Sequence, residues 1–420
     1  MTVAFRLFLV LTFVMIGRPQ DFFGFLVPFR IALVFTAIAL VATLFQKNIS
    51  ITSIWKKNKE VRLYGYFYLI MIIGIPFSIY RSKAFGFIFM QYPACLIFFY
   101  LLIVHTYSLY RLRKFMSTLV WSTLFYGLLV LLHGASQERV AYGDVFDPND
   151  LAYYMVSLFP MALLFWGQDE KYTARIKASA TFFVAVLITL LTQSRGGFVG
   201  LAAVLALLIM RPGGGIKKAH RIWIIIGIFA VFAFFGARIS MERVRTMGEI
   251  TNDYNISDEF GRLAIWKRGI NIALENPLNG VGASNFGQAI GDQRKGEGLI
   301  PRWQAPHNSF LQIAAEIGFI GLFVFITLVI TTYKNLGPRN KSDPEQLPFS
   351  DLNRSMSLIQ IAFTGSLICA FFLSQAYSIL FPIYFGLPVV RRRIESDLVL
   401  ADKVSVTGPL STRGQPETSF

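Results

Sequence analysis

The feature that most limits this chain is an alternation. Long apolar runs are separated by loops that are by turns rich and poor in Lys and Arg. The runs lie near 3–17, 29–45, 63–79, 86–106, 115–133, 150–166, 178–192, 198–210, 222–238, 308–331, 357–374 and 376–390. A run of about 20 apolar residues crosses a bilayer as a helix. In lipid a helix satisfies its own backbone polar groups. The expectation is therefore an all-α polytopic membrane protein with about twelve transmembrane helices. Composition agrees: 54% of the 420 residues are hydrophobic, 41 are Phe and only 15% are charged, against roughly a quarter in a soluble domain. Mean hydropathy is +0.53. These values argue against a secreted or cytosolic enzyme. They also assign the +16 net charge to membrane topology, with no nucleic acid as partner.

The basic loops are 46–62, 107–114, 167–177, 211–221 and 332–356, together with the Arg391, Arg392, Arg393 triplet. By the positive-inside rule they are cytoplasmic, as are both termini. The chain then divides into helices 1–9 over 1–238, a large outer loop over 239–307, helices 10–12 over 308–390 and a polar, disordered tail over 391–420. In the outer loop acids and bases nearly balance. Leu263, Trp266, Ile270 and Leu274 repeat there at helix spacing, and Asn276-Pro277 stops that helix. A long structured loop outside the cytoplasm is where chemistry on an extracytoplasmic substrate belongs. Two cysteines, Cys95 and Cys369, both within apolar runs, provide neither a disulfide framework nor a zinc site. No metal-ligand set and no cofactor motif is present, so neither is expected.

Four polar clusters stand where apolar residues would be expected. Thr192-Gln193-Ser194-Arg195-Gly196-Gly197 joins two runs. It reads as a tight hairpin with a snorkelling arginine, or as a guanidinium fixed at the mouth of a cavity, with Ser194 beside it and glycines that let backbone approach a ligand. Asp147-Pro148-Asn149-Asp150 reads as a helix start, or as side chains, Asp147 and Asn149 among them, that bind sugar hydroxyls. Arg262 opens the loop helix beside its apolar stripe. It faces either a negatively charged ligand or one of Asp258 and Glu259, while Lys267 and Arg268 form a solvated face.

The fourth cluster, Pro306-His307-Asn308-Ser309, starts the next span. A helix N-terminus favours anions and disfavours protonation of the imidazole, so His307 reads as a potential base. Glu316 lies nine residues further on, about 13 Å down the helix. A carboxylate at that depth has a partner or lines a wet cavity. Ile300-Pro301-Arg302-Trp303 adds another arginine on the approach. Together the clusters describe an outward cavity suited to a pyrophosphate or similar anion and to a hydroxyl awaiting deprotonation. A polytopic transporter of an anionic substrate is the reading of a different class. Polar features clustered towards the second half and at one membrane face count against it.

The order of motifs resembles the bacterial O-antigen ligase and polysaccharide polymerase superfamily. It runs Asp-Pro-Asn at 147–149, Thr-x-Ser-Arg-Gly-Gly at 192–197, Arg-x-x-x-Trp at 262–266, Asn-Pro-Leu-x-Gly-x-Gly-x-x-x-Phe at 276–286, and His-Asn-Ser-x-Leu-x-x-x-x-Glu-x-Gly at 307–318. The resemblance implies a GT-C-like, metal-independent, inverting membrane glycosyltransferase of the bacterial inner membrane, its site facing the periplasm. The implied donor is a glycan on undecaprenyl pyrophosphate, held by Arg195 and Arg262. The implied acceptor is a hydroxyl activated by His307, with Asn308, Ser194, Asp147, Asn149, Arg302 and Glu316 around the substrate. Lipid A-core is the acceptor in a ligase, a second lipid-linked repeat in a polymerase, and protein in an O-oligosaccharyltransferase. Cell-surface polysaccharide such as lipopolysaccharide is the product in the first case.

Overall fold

The computed structural model describes residues 1–46, 51–134, 147–167, 170–210, 222, 261–337 and 347–406. Every regular element among them is helical. In chain order they include α1 (Val3–Gly17), α2 (Ile31–Leu44), α3 (Ile51–Lys57), α4 (Lys59–Gly74), α5 (Arg81–Gly86), α6 (Pro93–His105), α7 (Leu109–Gly134), α8 (Pro148–Leu158), α9 (Tyr172–Leu191), α10 (Arg195–Met210), α11 (Arg262–Glu275), α12 (Phe286–Gly296), α13 (Ser309–Leu336), α14 (Leu347–Phe371) and α15 (Leu380–Val406). Seven helical stretches among the described residues are long and apolar enough to cross a membrane: Val3–Asp21, Lys59–Phe77, Arg81–His105, Leu109–Gly134, Tyr172–Leu191, Ser309–Leu336 and Phe349–Phe371. Large apolar side chains such as Leu33, Leu69, Leu132 and Phe323 point outward from this bundle, as lipid-facing positions do.

Four of the twelve expected spans differ, and a fifth lies outside the described residues. Those at 29–45 and 198–210 are the shorter apolar helices α2 and α10. The one at 150–166 is α8 followed by a tighter 3-10 stretch, Phe159–Trp166, and both are buried throughout from Leu151. The one at 376–390 becomes part of α15. The one at 222–238, the 211–221 loop and the first part of the outer loop, 239–260, fall almost wholly outside the described residues.

The C-terminal expectation needs correction. Residues 391–406 continue α15 as helix, because its arginines have helix ends to bind. Arg391 is fully buried. It donates to the Asn335 and Leu336 carbonyls at the C-terminus of α13 at 3.2 and 3.4 Å, to the Gly337 carbonyl just beyond, and to Glu395 at 2.7 Å. Arg392 donates to Glu60 at 3.0 Å and Asn58 at 3.1 Å, at the start of α4. Arg393 donates to the Ile103 and Val104 carbonyls, at the end of α6, at 3.3 Å. A helix C-terminus presents unsatisfied carbonyls and partial negative charge, so a guanidinium there is bound twice over. Three consecutive arginines thus fasten three helices at one end of the bundle.

Elsewhere in the bundle, residues 277–286 of the large loop are built into α13. Gly318 interrupts that helix at φ 75°, ψ 176°. Into the gap fits the segment 277–286. Val281 N–H donates to the Ala315 carbonyl at 2.9 Å, Gly282 N–H to that of Glu316 at 2.8 Å, and Phe319 N–H to that of Pro277 at 2.8 Å. The Glu316 carboxylate accepts from Ser284 N–H at 2.9 Å, Phe286 N–H at 3.1 Å and the Tyr377 hydroxyl at 2.7 Å. A Cβ on Gly280 would stand 2.3 Å from backbone of Glu316. The Asn-Pro-Leu-x-Gly-x-Gly motif is therefore a backbone plug that substitutes for a broken turn of helix.

Candidate functional site

Four helix starts meet beside the segment 261–307. Asp147 caps α8: its carboxylate accepts from Asn149 N–H at 2.7 Å and Asp150 N–H at 2.8 Å, and Pro148 follows at the first helical position. Ser194 caps α10, accepting from Gly197 N–H at 3.2 Å. Arg195 is then the first residue of that helix. Gly197 has a packing reason: a Cβ there would stand 2.5 Å from that of Ala152 on α8, so the absent side chain lets the two helices close. Arg262 opens α11. Asn308 caps α13, accepting from Phe310 and Leu311 N–H at 2.9 and 3.0 Å.

His307 precedes that cap with a left-handed backbone, φ 46°. Such a conformation in a residue with a side chain costs about 1–3 kcal/mol and must be imposed by surroundings. Three contacts impose it. His307 N–H donates to the Ser374 hydroxyl at 2.9 Å. Trp266 donates its indole N–H to the Pro306 carbonyl at 3.0 Å and stands edge-on to Phe371, centroids 5.8 Å apart. Ser309 hydroxyl donates to the Leu373 carbonyl at 2.7 Å and accepts from Gln375 N–H at 2.8 Å. Arg262 and Trp266 lie one helical turn apart and act together. The first faces the site, and the second fixes the segment that carries the histidine.

The electrostatics join all four starts. The His307 imidazole is held below the ordinary histidine range, by burial first and by the Arg262 guanidinium second, with Asp147 pulling the other way. Arg262 is lowered by burial and by the like charge of Arg195, and Asp147 again opposes. An arginine so placed remains charged. Neutrality of His307 was expected from its helix end; burial and Arg262 are the causes the structure identifies. The chemical content is a pair of guanidiniums and several helix N-termini, all favouring an anion, beside a neutral imidazole.

The other sequence-derived residues divide. Ser194 and Asn308 are buried caps. Asn149 is half-buried beside Asp147, and Arg302 is exposed on the non-helical approach to His307. Glu316 is buried and receives the three hydrogen bonds described above, which make it the anchor of the outer-loop plug. Asp258 and Glu259, the alternative partners of Arg262, lie outside the described residues. Glu275 ends α11, about 20 Å along the helix from Arg262. Lys267 is exposed, as expected of a solvated face.

Sequence reasoning missed the 372–379 segment between α14 and α15. Ser374 holds His307, while Gln375 donates its side-chain amide to Asp150 at 2.7 Å and so ties the His307 side of the site to α8. Its signal was a polar Ser-Gln-Ala-Tyr-Ser between two apolar runs. The helix spacing of Leu263, Ile270 and Leu274 does mark α11, which ends before Asn276-Pro277, but that stripe is not its packing face. These residues are 49%, 51% and 62% exposed, and the helix packs by Ile265, Gly269, Ile272 and Ala273 instead. Where the surroundings include lipid, apolarity does not separate inside from outside, and small residues mark close packing better.

Residues 180–326 match the family model described as O-antigen ligase. This stretch contains Arg195, Arg262, His307 and Glu316; Asp147 and Asn149 precede it. Two Rickettsia proteins carry the name "Putative polysaccharide ligase". That of Rickettsia bellii (strain RML369-C) is 40% identical over 81 residues, 18% of this chain and 20% of that protein. That of Rickettsia conorii (strain ATCC VR-613 / Malish 7) is 39% identical over 80 residues, again 18% and 20%. The chain therefore spans about a fifth of the length of the relatives it matches. The resemblance to the O-antigen ligase superfamily holds over this stretch, in a chain with several membrane-crossing helices.

Proposed function

We propose that the protein is an inverting, metal-independent glycosyltransferase of the O-antigen ligase type, with about twelve spans and a GT-C-like arrangement. It sits in the bacterial inner membrane with both termini cytoplasmic and its site in the periplasm. Its donor is a glycan on undecaprenyl pyrophosphate. Its acceptor is a hydroxyl, that of lipid A-core in the ligase reading. The observation that carries the proposal is the electrostatic grouping of Arg195, Arg262, Asp147 and His307, from four separate helix starts.

The roles follow from chemistry. Arg195 and Arg262 bind the pyrophosphate, and their charge stabilises what develops on it as the sugar leaves. His307, kept neutral, accepts the proton of the attacking hydroxyl. The acceptor oxygen forms its bond to the anomeric carbon as the bond to the phosphate oxygen breaks, and the electron pair departs with the pyrophosphate. Attack opposite the leaving group inverts the anomeric centre. Asp147 moderates the positive field, and Asn149, Arg302, Ser194 and Asn308 complete the substrate surround.

The test is transfer by purified protein from a lipid-linked oligosaccharide to lipid A-core, with and without chelator. Formation of glycosylated lipid A-core and undecaprenyl pyrophosphate, unaffected by chelator, supports the proposal. Extension of the donor's own glycan identifies a polymerase. Absence of any transfer, or loss with chelator and recovery with a divalent ion, contradicts it.

A further inference from the structure

A cavity of about 500 Å³ opens at the end of the bundle fastened by the arginine triplet. It is lined by Lys57, Arg392 and Arg393, by Ser53, Asn58 and Ser396, by Asp397, and by the apolar Ile54, Ile103 and Val389. None of these residues belongs to the site around His307. We propose that this cavity binds the phosphodiester headgroup of an anionic phospholipid.

Charge comes first. Arg392 is engaged with Glu60 at 3.0 Å, and Asp397 stands on the cavity wall. The lining carries three cations and one carboxylate, and Glu60 offsets one of the cations from outside it, so the wall is net positive and suited to an anionic phosphodiester. Hydrophobicity comes second. Ile54, Ile103 and Val389 share the cavity with the cations, so it suits an amphiphile better than a bare anion. Depth comes third. The short helix α3 displays Trp55, 38% exposed and edge-on to Tyr66 at 5.8 Å, just before Lys56 and Lys57. Arg393, which also lines the cavity, lies 5.0 Å over the Tyr107 ring. Trp and Tyr beside Lys and Arg mark the headgroup level of a bilayer, and basic pockets between helices at that level take lipid headgroups.

The consequence is mechanical. Arg392 and Arg393 line the cavity while also fastening α4 and α6. A ligand that binds only the folded arrangement raises apparent stability as its concentration increases. The full chain, purified in neutral detergent, is titrated with phosphatidylglycerol, phosphatidylcholine or inorganic phosphate while the melting temperature is followed. Phosphatidylglycerol is expected to raise it progressively, and the other two to have little effect. Lys57→Glu, a change at an exposed position, is expected to preserve the lipid-free melting temperature and abolish the phosphatidylglycerol shift; Lys57→Gln is expected to weaken it. The proposal is overturned by an equal shift with phosphatidylcholine, by a full shift with inorganic phosphate alone, or by an undiminished shift in both Lys57 variants.

Discussion

Gly318→Ala probes the junction on which the outer loop depends. Gly318 has φ 75° and ψ 176°, a region that only glycine occupies without strain, and an alanine held there costs about 1–3 kcal/mol. The added Cβ would also stand 2.2 Å from the Leu278 carbonyl oxygen and 2.9 Å from the Asn279 nitrogen. These are backbone atoms, so no side chain can turn aside, and overpacking adds about 1–3 kcal/mol. The total is about 2–6 kcal/mol. The melting shift per kcal/mol falls with chain length, to roughly 1 °C for a chain of this size, so the melting temperature should fall by at least about 2 °C. Gly296→Ala is the control. Nothing lies within 4 Å of its Cβ position, and it is the last residue of α12, so Ala there should leave the melting temperature close to wild type. Both variants are purified in detergent and followed by thermal unfolding. A Gly318→Ala melting temperature within 1 °C of wild type would refute the plug-and-gap account of 277–286 against α13.

Other consequences are equally direct. Glu316→Gln presents an amide N–H where a carboxylate oxygen now accepts, so it should cost about 1–3 kcal/mol in thermal unfolding; no loss would mean that the carboxylate does not hold the plug. Arg195→Lys, which removes bidentate phosphate contact, should lower transfer sharply in correctly inserted protein, whereas Lys267→Ala should leave it near wild type; equal behaviour of the two would remove Arg195 from the site. The pH profile carries a sign. The base is neutral above its own pKa, and burial and Arg262 lower that pKa, so activity should persist to a pH below the ordinary histidine midpoint of about 6.5 before falling. Asp147 raises the His307 pKa, so Asp147→Asn should move the acid limb to still lower pH, and a shift upward would contradict this arrangement.

Much of the site was legible because polar residues stood in the wrong solvent. Arg195, Arg262 and His307 each interrupt or border apolar sequence, and the structure groups all three with Asp147. Fold class was legible for the same reason. Span count was less so, since hydropathy does not distinguish a lipid-crossing helix from the short α10 or the wholly enclosed 151–166 stretch. Arg391–Arg393 read as a marker of sidedness, while its bonds to α13, α4 and α6 depend on which helix ends lie near, a property of assembly. Glu316 was expected to have a partner or to line a cavity, and its partners could not be named because two of them, the N–H groups of Ser284 and Phe286, are backbone atoms with no signature in side-chain identity. Ser374, some 67 positions from His307, is likewise joined to it by tertiary structure alone.

The central claim is that His307 takes the acceptor proton while Arg195 and Arg262 hold the donor. Its most direct test is His307→Ala, with binding of the undecaprenyl-pyrophosphate-linked donor and glycan transfer measured on the same preparation. Loss of a general base costs about 10² to 10⁴ in rate. The account predicts donor affinity close to wild type and transfer reduced by at least about 10². Transfer at the wild-type rate would contradict it.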